Sequence, residues 1–223
     1  MGGARYDGVA EWYDDILGNA ELGHFNRDVA MRLLGSGMGR LIDVGCGGGV
    51  AALGFQELGW RVTGVDISED QLRLARERGV EVVHADATAL PFKDETFDAA
   101  VSIGTHTDLD DFAGALHEIS RVLRRGAPFV YVGVHPCFVG PHVWYTDGEL
   151  PQLHPGYRET DWTHEAPGIS QEGLRAKVGV RHMPLGLFLQ NFLDAGFQLE
   201  RFEEPDAREF PKVVALRTAR TTA

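Results

Sequence analysis

A short apolar segment that ends in a cluster of glycines constrains this chain more than any other feature of its sequence. Residues 41–50 read Leu-Ile-Asp-Val-Gly-Cys-Gly-Gly-Gly-Val, and a second apolar segment, residues 61–65, leads into Asp66. This order predicts a strand, a tight turn, a helix and a second strand, the first half of a nucleotide-binding α/β sheet. Glycines in the turn let the backbone bend sharply and leave room for a ligand beside it. Asp66 lies where a carboxylate can accept hydrogen bonds from ribose hydroxyls.

The spacing of the glycines distinguishes between cofactors. A dinucleotide fingerprint requires glycine or alanine at its third position, which here is Val50. Residues 43–49 of this chain instead read Asp-Val-Gly-Cys-Gly-Gly-Gly. This segment resembles motif I of the class I S-adenosylmethionine (SAM) methyltransferases. Asp66 and the segments 84–92 and 97–102 resemble further parts of that family. The resemblance is greatest to the small-molecule methyltransferases of ubiquinone and menaquinone biosynthesis, and it covers about Tyr6 to Gly133.

The resemblance implies an α/β fold with a Rossmann-like, seven-stranded sheet in the order 3-2-1-4-5-7-6. The last strand is expected to be antiparallel, with helices on both faces of the sheet. We expect one domain over residues 1–223, with an N-terminal helical cover at 1–38. Residues 135–184 are rich in proline, glycine and aromatic side chains and have weak periodicity, which favours a substrate lid inserted after strand five.

Local patterns predict where helices begin. Residues 6–34 have helix-like apolar spacing. Ser68 and Gln71 match a capping box, in which the serine caps the helix and the glutamine side chain reaches back to it. Asp110 or Asp111 can cap the helix that follows strand four.

Composition limits the classes of partner. The formal net charge of −12 disfavours nucleic acids and anionic membrane surfaces, since phosphate contacts need clustered Lys and Arg. No apolar run is long enough for a transmembrane helix, and the N-terminus has no signal-peptide pattern. The cysteines are Cys46 and Cys137, and Cys46 belongs to the glycine turn, so a disulfide is not expected and a cytoplasmic location fits. We expect a small-molecule substrate and a monomer or homodimer.

The resemblance also implies the residues that hold SAM. The methionine moiety would be surrounded by the turn, through Asp43, Gly45, Cys46 and Gly47. The ribose would be bound by Asp66, and the adenine would be contacted by Ile67, Asp86 and Ala87. The remaining expected contacts are Tyr6, Tyr13 and Ile103. Structural alternatives stay open: Asp43 can cap the turn, Asp66 can be a helix-entry carboxylate next to Ser68, Asp86 can form a turn, and the tyrosines can pack between helices.

Two histidines are candidate general bases. His106 follows strand four and His135 follows strand five, where the carboxyl edge of the sheet faces the substrate. The histidine pKa suits proton removal near neutrality. The alternatives are a capping or substrate-shaping role for His106 and a strand-end hydrogen bond for His135. We expect no metal, because the histidines of the predicted lid match no zinc spacing.

These observations favour methyl transfer from SAM to a small, fairly apolar or aromatic metabolite. Oxygen is the expected acceptor, with nitrogen and carbon left open. A SAM-binding protein without catalysis is the main alternative, and a nicotinamide-dependent oxidoreductase is a weaker one. The acidic charge disfavours an RNA methyltransferase.

Overall fold

The computed structural model describes residues 4–15, 21–146, 150–170 and 172–222. In chain order, its strands are β1 (Arg40–Val44), β2 (Arg61–Asp66), β3 (Glu81–His84), β4 (Ala99–Ile103), β5 (Pro128–Val134), β6 (Val143–Thr146), β7 (Leu150–Leu153), β8 (Trp162–Thr163), β9 (Val180–Arg181), β10 (Phe197–Glu203) and β11 (Val213–Arg220). Its helices are α1 (Ala10–Tyr13), α2 (Glu21–Leu34), α3 (Val50–Glu57), α4 (Glu69–Glu77), α5 (Phe112–Val122), α6 (Leu174–Val178) and α7 (Leu185–Asp194).

The central sheet has seven strands in the order β10-β11-β5-β4-β1-β2-β3. The strands β3, β2, β1, β4 and β5 are parallel, and β11 runs antiparallel to both of its neighbours. This confirms the predicted order and the reversed last strand. Strand β4 is buried over most of its length, as expected for a strand covered by helices on both faces.

Two apolar layers cover the two faces of the sheet. One is built around α5 and α7, and its largest buried side chains include Phe112, Leu116 and Phe188. The other is built around α2 and α3 and includes Leu33 and Phe55. The sheet is therefore held rigidly between helices, and the loops at its carboxyl edge project from a fixed scaffold.

The helix starts match the predictions in part. Asp111 caps α5 by accepting a hydrogen bond from the Gly114 amide at 2.8 Å, as predicted. Ser68 caps α4 and accepts from the Gln71 amide at 3.3 Å. The predicted return bond from the Gln71 side chain is wrong, because the Ser68 amide donates to Asp66 Oδ1 instead, at 2.9 Å. The Ser68 amide is thus bound by the carboxylate at the end of β2 and not by the Gln71 side chain.

The N-terminal segment is less helical than its spacing predicts. Residues 5–9 form turns, α1 has four residues, and α2 begins at Glu21. The part of the predicted helix at residues 16–20 lies outside the described residues. The turns at 5–9 are fixed by contacts with α4 and with the loop after β4, so tertiary contacts override the helical pattern here.

Residues 135–184, called the insertion below, contain short elements that the sequence pattern does not predict. Strands β6 and β7 form a hairpin, β8 pairs with β9, and α6 has five residues. Elements of two to five residues are too short to produce a visible alternation or helical stripe. None of the helices in the described part of the chain is long and apolar enough to cross a membrane.

Candidate active site

A cleft of about 250 Å³ lies at the carboxyl edge of the sheet, where the strand order reverses between β1 and β4. Ligands of open α/β sheets bind at such switch points. Its walls come from five segments: the N-terminal turns, the loop after β1, the start of α4, the loop after β3 and the loop after β4.

The glycine turn after β1 has a conformation that side chains would not tolerate. Gly45 has a φ of 75°, and a Cβ atom there would lie 2.3 Å from Thr105 Cγ2. Gly47 has a φ of 52°, also in the left-handed region. The amides of Gly45 and Cys46 both donate to the Val65 carbonyl, at 2.8 and 3.0 Å. The turn is thus fixed by its own backbone and leaves the cleft open beside it.

Asp66 ends β2 with its carboxylate held by two backbone amides. Oδ2 accepts from the Gly47 amide and Oδ1 accepts from the Ser68 amide, each at 2.9 Å. Burial raises the pKa of this carboxyl group, and the backbone hydrogen bonds oppose that shift. Each carboxylate oxygen has two lone pairs, so Asp66 can still accept hydrogen bonds from a ligand's hydroxyl groups.

Asp43 lies beneath the turn and does not line the cleft. It is 1% exposed, and its Oδ2 has no hydrogen-bond partner among the described residues. Burial, and then the charge of Asp66, raise the pKa of this carboxyl group to about 7. An unpaired buried carboxylate oxygen is costly. A cationic ligand group near the turn would relieve that cost, so the site suits a ligand that carries an ammonium.

The wall beyond β2 and β3 is suited to a flat apolar ring. Ile67 lines the cleft and is 52% exposed, which is unusual for an isoleucine at a strand end. Ala87 also lines the cleft. Asp86 Oδ1 accepts from both the amide and the hydroxyl of Thr88, at 2.8 Å each. Asp86 therefore forms a turn, as the alternative interpretation has it, and also lines the cleft.

Tyr6 and Tyr13 line the cleft from the N-terminal segment. Their rings meet edge to face, with centroids 5.1 Å apart. The Tyr6 hydroxyl donates to Asp108 Oδ1 at 2.9 Å. Burial raises the pKa of both phenols, that of Tyr13 to about 12, so both hydroxyls stay protonated at neutral pH.

The N-terminal segment is attached to α4 and to the turn by polar contacts. The Ser68 hydroxyl donates to Asp7 Oδ1, and the Gly8 amide donates to Asp70 Oδ2, each at 2.7 Å. Asp14 forms an ion pair with Arg78, whose guanidinium also donates to the carbonyl of Gly48 at 2.6 Å. These bonds place the tyrosines over the cleft.

His106 points away from the cleft and into the core. It is 2% exposed, and its Nδ1 lies 2.5 Å from the hydroxyl of Tyr131. Its ring also packs against Phe112 and Phe188. Burial lowers its pKa to about 3, with smaller contributions from Arg175 and His182. The expected orientation toward the substrate is therefore not what the structure has, because its neighbour Thr105 occupies the cleft wall.

His135 also lies outside the cleft lining. It is 2% exposed, its Nε2 lies 2.9 Å from Glu204 Oε1, and its Nδ1 accepts from the Cys137 amide at 3.1 Å. These contacts match the alternative interpretation, a hydrogen-bonding residue at the end of a strand. Cys46 is buried against Gly64 and does not line the cleft.

The cleft therefore brings together nine of the thirteen predicted site residues: Tyr6, Tyr13, Gly45, Gly47, Asp66, Ile67, Asp86, Ala87 and Ile103. Sequence reasoning missed Thr105, Asp108 and Leu109, which also line it. Their position in the loop after β4 could have indicated them, because this loop lies at the carboxyl edge of the sheet. In the described part of the chain, no group of three or more His, Cys, Asp or Glu side chains is arranged to hold a metal ion.

Comparisons with known proteins agree with this geometry. Residues 42–131 match a family described as a methyltransferase domain. The chain is 30% identical over 180 residues to a demethylmenaquinone methyltransferase of Streptomyces avermitilis, and the alignment covers 78% of each chain. It is 36% identical over 105 residues to a fatty-acid O-methyltransferase of Mycolicibacterium smegmatis, covering 44% of this chain and 38% of that relative.

A solved structure supports the same fold. It is an S-adenosylmethionine-dependent methyltransferase from Mesorhizobium loti, which aligns with a TM-score of 0.72 at 23% identity and covers 96% of this chain and 99% of its own. The sheet order, the glycine turn and the similarity to the Streptomyces enzyme lead to one conclusion. The chain belongs to the S-adenosylmethionine-dependent methyltransferases.

Proposed function

We propose that this methyltransferase transfers the methyl group of SAM to an oxygen atom of a small apolar or aromatic molecule. The observation that carries the proposal is the cleft at the switch point, with the Asp66 carboxylate fixed at its edge by two amides. Oxygen is the acceptor in the names of several relatives, among them the fatty-acid enzyme and a ubiquinone biosynthesis O-methyltransferase of Alkalilimnicola ehrlichii. The Streptomyces relative acts, by its name, on a demethylated menaquinone.

The residues present fit SAM. Asp66 would accept hydrogen bonds from the ribose hydroxyls, and the exposed Ile67 side chain would cover the adenine. Asp86 Oδ2 would accept from the adenine amino group, since Oδ1 is used in the turn. The unpaired Oδ2 of Asp43 would be satisfied by the ammonium of the methionine moiety, directly or through a water molecule. When bound, SAM supplies a methyl group activated by its sulfonium.

The charge of the cleft favours a cationic donor and a neutral acceptor. Carboxylates that line it include Asp66, Asp86 and Asp108. Arg5 is the cation among the described lining residues, and its guanidinium is paired with Asp110 at 2.6 Å. Such a cleft attracts a sulfonium and gives little attraction to a free carboxylate or phosphate group.

We assign catalysis chiefly to positioning. Tyr6, Tyr13 and Thr105 line the part of the cleft beside the loop after β4, where they can orient an acceptor and exclude water. The expected bases, His106 and His135, are held in other hydrogen bonds outside the cleft lining. We therefore propose that neither takes a proton from the acceptor in this arrangement.

Two measurements test the proposal. Isothermal titration calorimetry with SAM, S-adenosylhomocysteine and NAD should show binding of the first two in preference to NAD. Incubation with methyl-labelled SAM and a panel of phenols and quinols, followed by mass spectrometry, should show an O-methylated product. Binding of NAD with no response to S-adenosylhomocysteine would contradict the proposal. SAM binding without label transfer to any acceptor would favour a non-catalytic SAM-binding protein.

A further inference from the structure

A polar network around Asp108 joins three distant segments of the chain. Asp108 follows β4 and lines the cleft. Its Oδ1 accepts from the Tyr6 hydroxyl at 2.9 Å and from Arg175 Nη1 at 2.5 Å. Its Oδ2 accepts from the Thr107 hydroxyl at 2.9 Å and from Arg175 Nη2 at 3.2 Å. One carboxylate thereby connects the N-terminal segment, the loop after β4 and the insertion.

We propose that Arg175 is a positioning residue of the methyltransferase site, which holds Asp108 so that Tyr6 stays over the cofactor cleft. The proposal rests on the proposed function in one respect, because it takes this cleft as the site of SAM. It goes beyond that function by giving a residue of the insertion a defined part in retaining the cofactor.

The local structure around Arg175 is too weak to fix this part of the insertion by itself. Helix α6 has five residues, and its N-cap, Gly173, provides no side-chain hydrogen bond. Strands β8 and β9 have two residues each. An isolated helix or hairpin of this length is not stable in water. Contacts with other segments, the loop after β4 among them, must therefore hold this part of the insertion in place.

The contacts of Arg175 with the loop after β4 are made to Thr107 and Asp108. The guanidinium of Arg175 donates to both side chains, and its bond to the Thr107 hydroxyl is 2.9 Å long. The Arg181 amide donates to the Thr107 carbonyl at 3.0 Å. The planar guanidinium suits this double contact, since it offers parallel donors that a lysine ammonium lacks. Losing Arg175 would leave the Asp108 carboxylate with the hydroxyl donors of Tyr6 and Thr107 but without its ion pair.

The protonation states keep the network intact at neutral pH. Burial alone would lower the pKa of the Arg175 guanidinium, but the charge of Asp108 raises it, so the cation persists. Burial and the charge of Asp108 raise the pKa of the Tyr6 phenol well above its ordinary value, so its hydroxyl remains a donor. Removal of one partner from a partly buried charge pair is strongly disruptive, because the other charge is left uncompensated.

The dissociation rate of S-adenosylhomocysteine tests the proposal without an acceptor substrate. The protein is immobilised on a biosensor, and release of this compound is followed for each variant. Arg175→Gln should raise the dissociation rate constant at least tenfold, and Arg175→Lys should raise it less, because the charge remains. Tyr6→Phe should raise it three- to tenfold. The double variant should release the compound no more than twofold faster than Arg175→Gln, since both residues act through Asp108.

Arg158→Gln provides the matched control. Arg158 is an exposed arginine of the same insertion, and its replacement should leave the dissociation rate unchanged. Thermal melting of each variant detects unfolding, and Arg175→Lys serves if Arg175→Gln does not fold. A wild-type dissociation rate in Arg175→Gln overturns the positioning role alone. So does a double variant whose rate increase equals the product of the increases in Arg175→Gln and Tyr6→Phe. Failure of the wild type to bind S-adenosylhomocysteine overturns the proposed function and the positioning role together.

Discussion

The two halves of the cleft are held in different ways. The half beside β1 and β2 is fixed by backbone amides: those after β1 bind the Val65 carbonyl and the Asp66 carboxylate, and the Ser68 amide binds the same carboxylate. The half beside β4 is fixed by side chains from distant segments, through Tyr6 and Arg175 on Asp108. The first half thus depends on backbone conformation and one carboxylate, whereas the second half depends on three side chains and their charges. The first half is therefore sensitive to substitutions that change the backbone of the turn, and the second is sensitive to the loss of a single side chain.

The strongest test of the backbone-fixed half is Gly45→Ala. The new methyl group would lie 2.3 Å from Thr105 Cγ2, in a residue with a φ of 75°. We expect S-adenosylhomocysteine affinity, measured by calorimetry, to fall at least about a hundredfold, since strain of this kind costs ~1–3 kcal/mol and the clash adds to it. Gly79→Ala is the control: its φ is 81°, with open space around it. A similar loss of S-adenosylhomocysteine affinity in both variants would show that the loss comes from backbone strain at any such glycine and not from the turn beside the cleft.

Asp66→Ala should have the next largest effect on the affinity for SAM. It removes the acceptor for the Gly47 and Ser68 amides and for the ribose, so SAM affinity should fall by about 1–3 kcal/mol. Glu69→Ala, in the same helix-start region but exposed and paired with Arg76, should bind SAM normally. Titration calorimetry compares the two. Unchanged affinity in Asp66→Ala would place the ribose elsewhere.

His106→Phe separates a core histidine from a catalytic one. The variant leaves the buried Tyr131 hydroxyl without its ring partner, so at pH 7 its free energy of unfolding should fall by about 1–3 kcal/mol. Turnover should stay within about tenfold of the wild type, because His106 does not line the cleft. A 10²–10⁴-fold loss of turnover with normal SAM affinity would instead identify a general base.

The difference in free energy of unfolding between wild type and His106→Phe should depend on pH, because the pKa of His106 is low in the folded protein. Its pKa is about 3 in the folded protein and 6.5 ordinarily, so the unfolded chain binds the extra proton first. Its contribution to stability is complete above pH 6.5 and is lost as the pH falls toward 3. The stability gap between wild type and His106→Phe should therefore narrow by up to about 1.4 kcal/mol per pH unit as the pH falls through this window, and should change sign above pH 3. Urea unfolding at several pH values measures it, and a constant gap would contradict a neutral buried imidazole.

The smallest expected effect concerns the insertion. Its short elements should exchange amide hydrogens faster than β1 and β4 in the free protein, and the exchange of residues 172–179 should slow when S-adenosylhomocysteine is added. Hydrogen exchange with mass spectrometry resolves both regions. Exchange as slow as that of the sheet, unaffected by the ligand, would indicate a fixed structural insertion rather than a lid.

The two halves also differed in how well they could be predicted from sequence. The turn and Asp66 follow from glycine spacing and apolar runs, because their pattern lies in neighbouring residues, and the sheet order follows from the family resemblance that those residues carry. The network of Tyr6, Asp108 and Arg175 leaves no such pattern, since its members are up to 169 positions apart in the chain. The predicted orientation of the His106 side chain toward the substrate differs from the structure for a related reason. Strand periodicity does not reach into a loop, so it could not show that Thr105, and not His106, faces the cleft.

A crystal structure of the protein with S-adenosylhomocysteine tests the central claim most directly. The account predicts both ribose hydroxyls within hydrogen-bond distance of the Asp66 carboxylate, the adenine against Ile67, and Tyr6 still bonded to Asp108 above the ligand. Binding of the compound elsewhere, or in this cleft with the ribose away from Asp66, would contradict it.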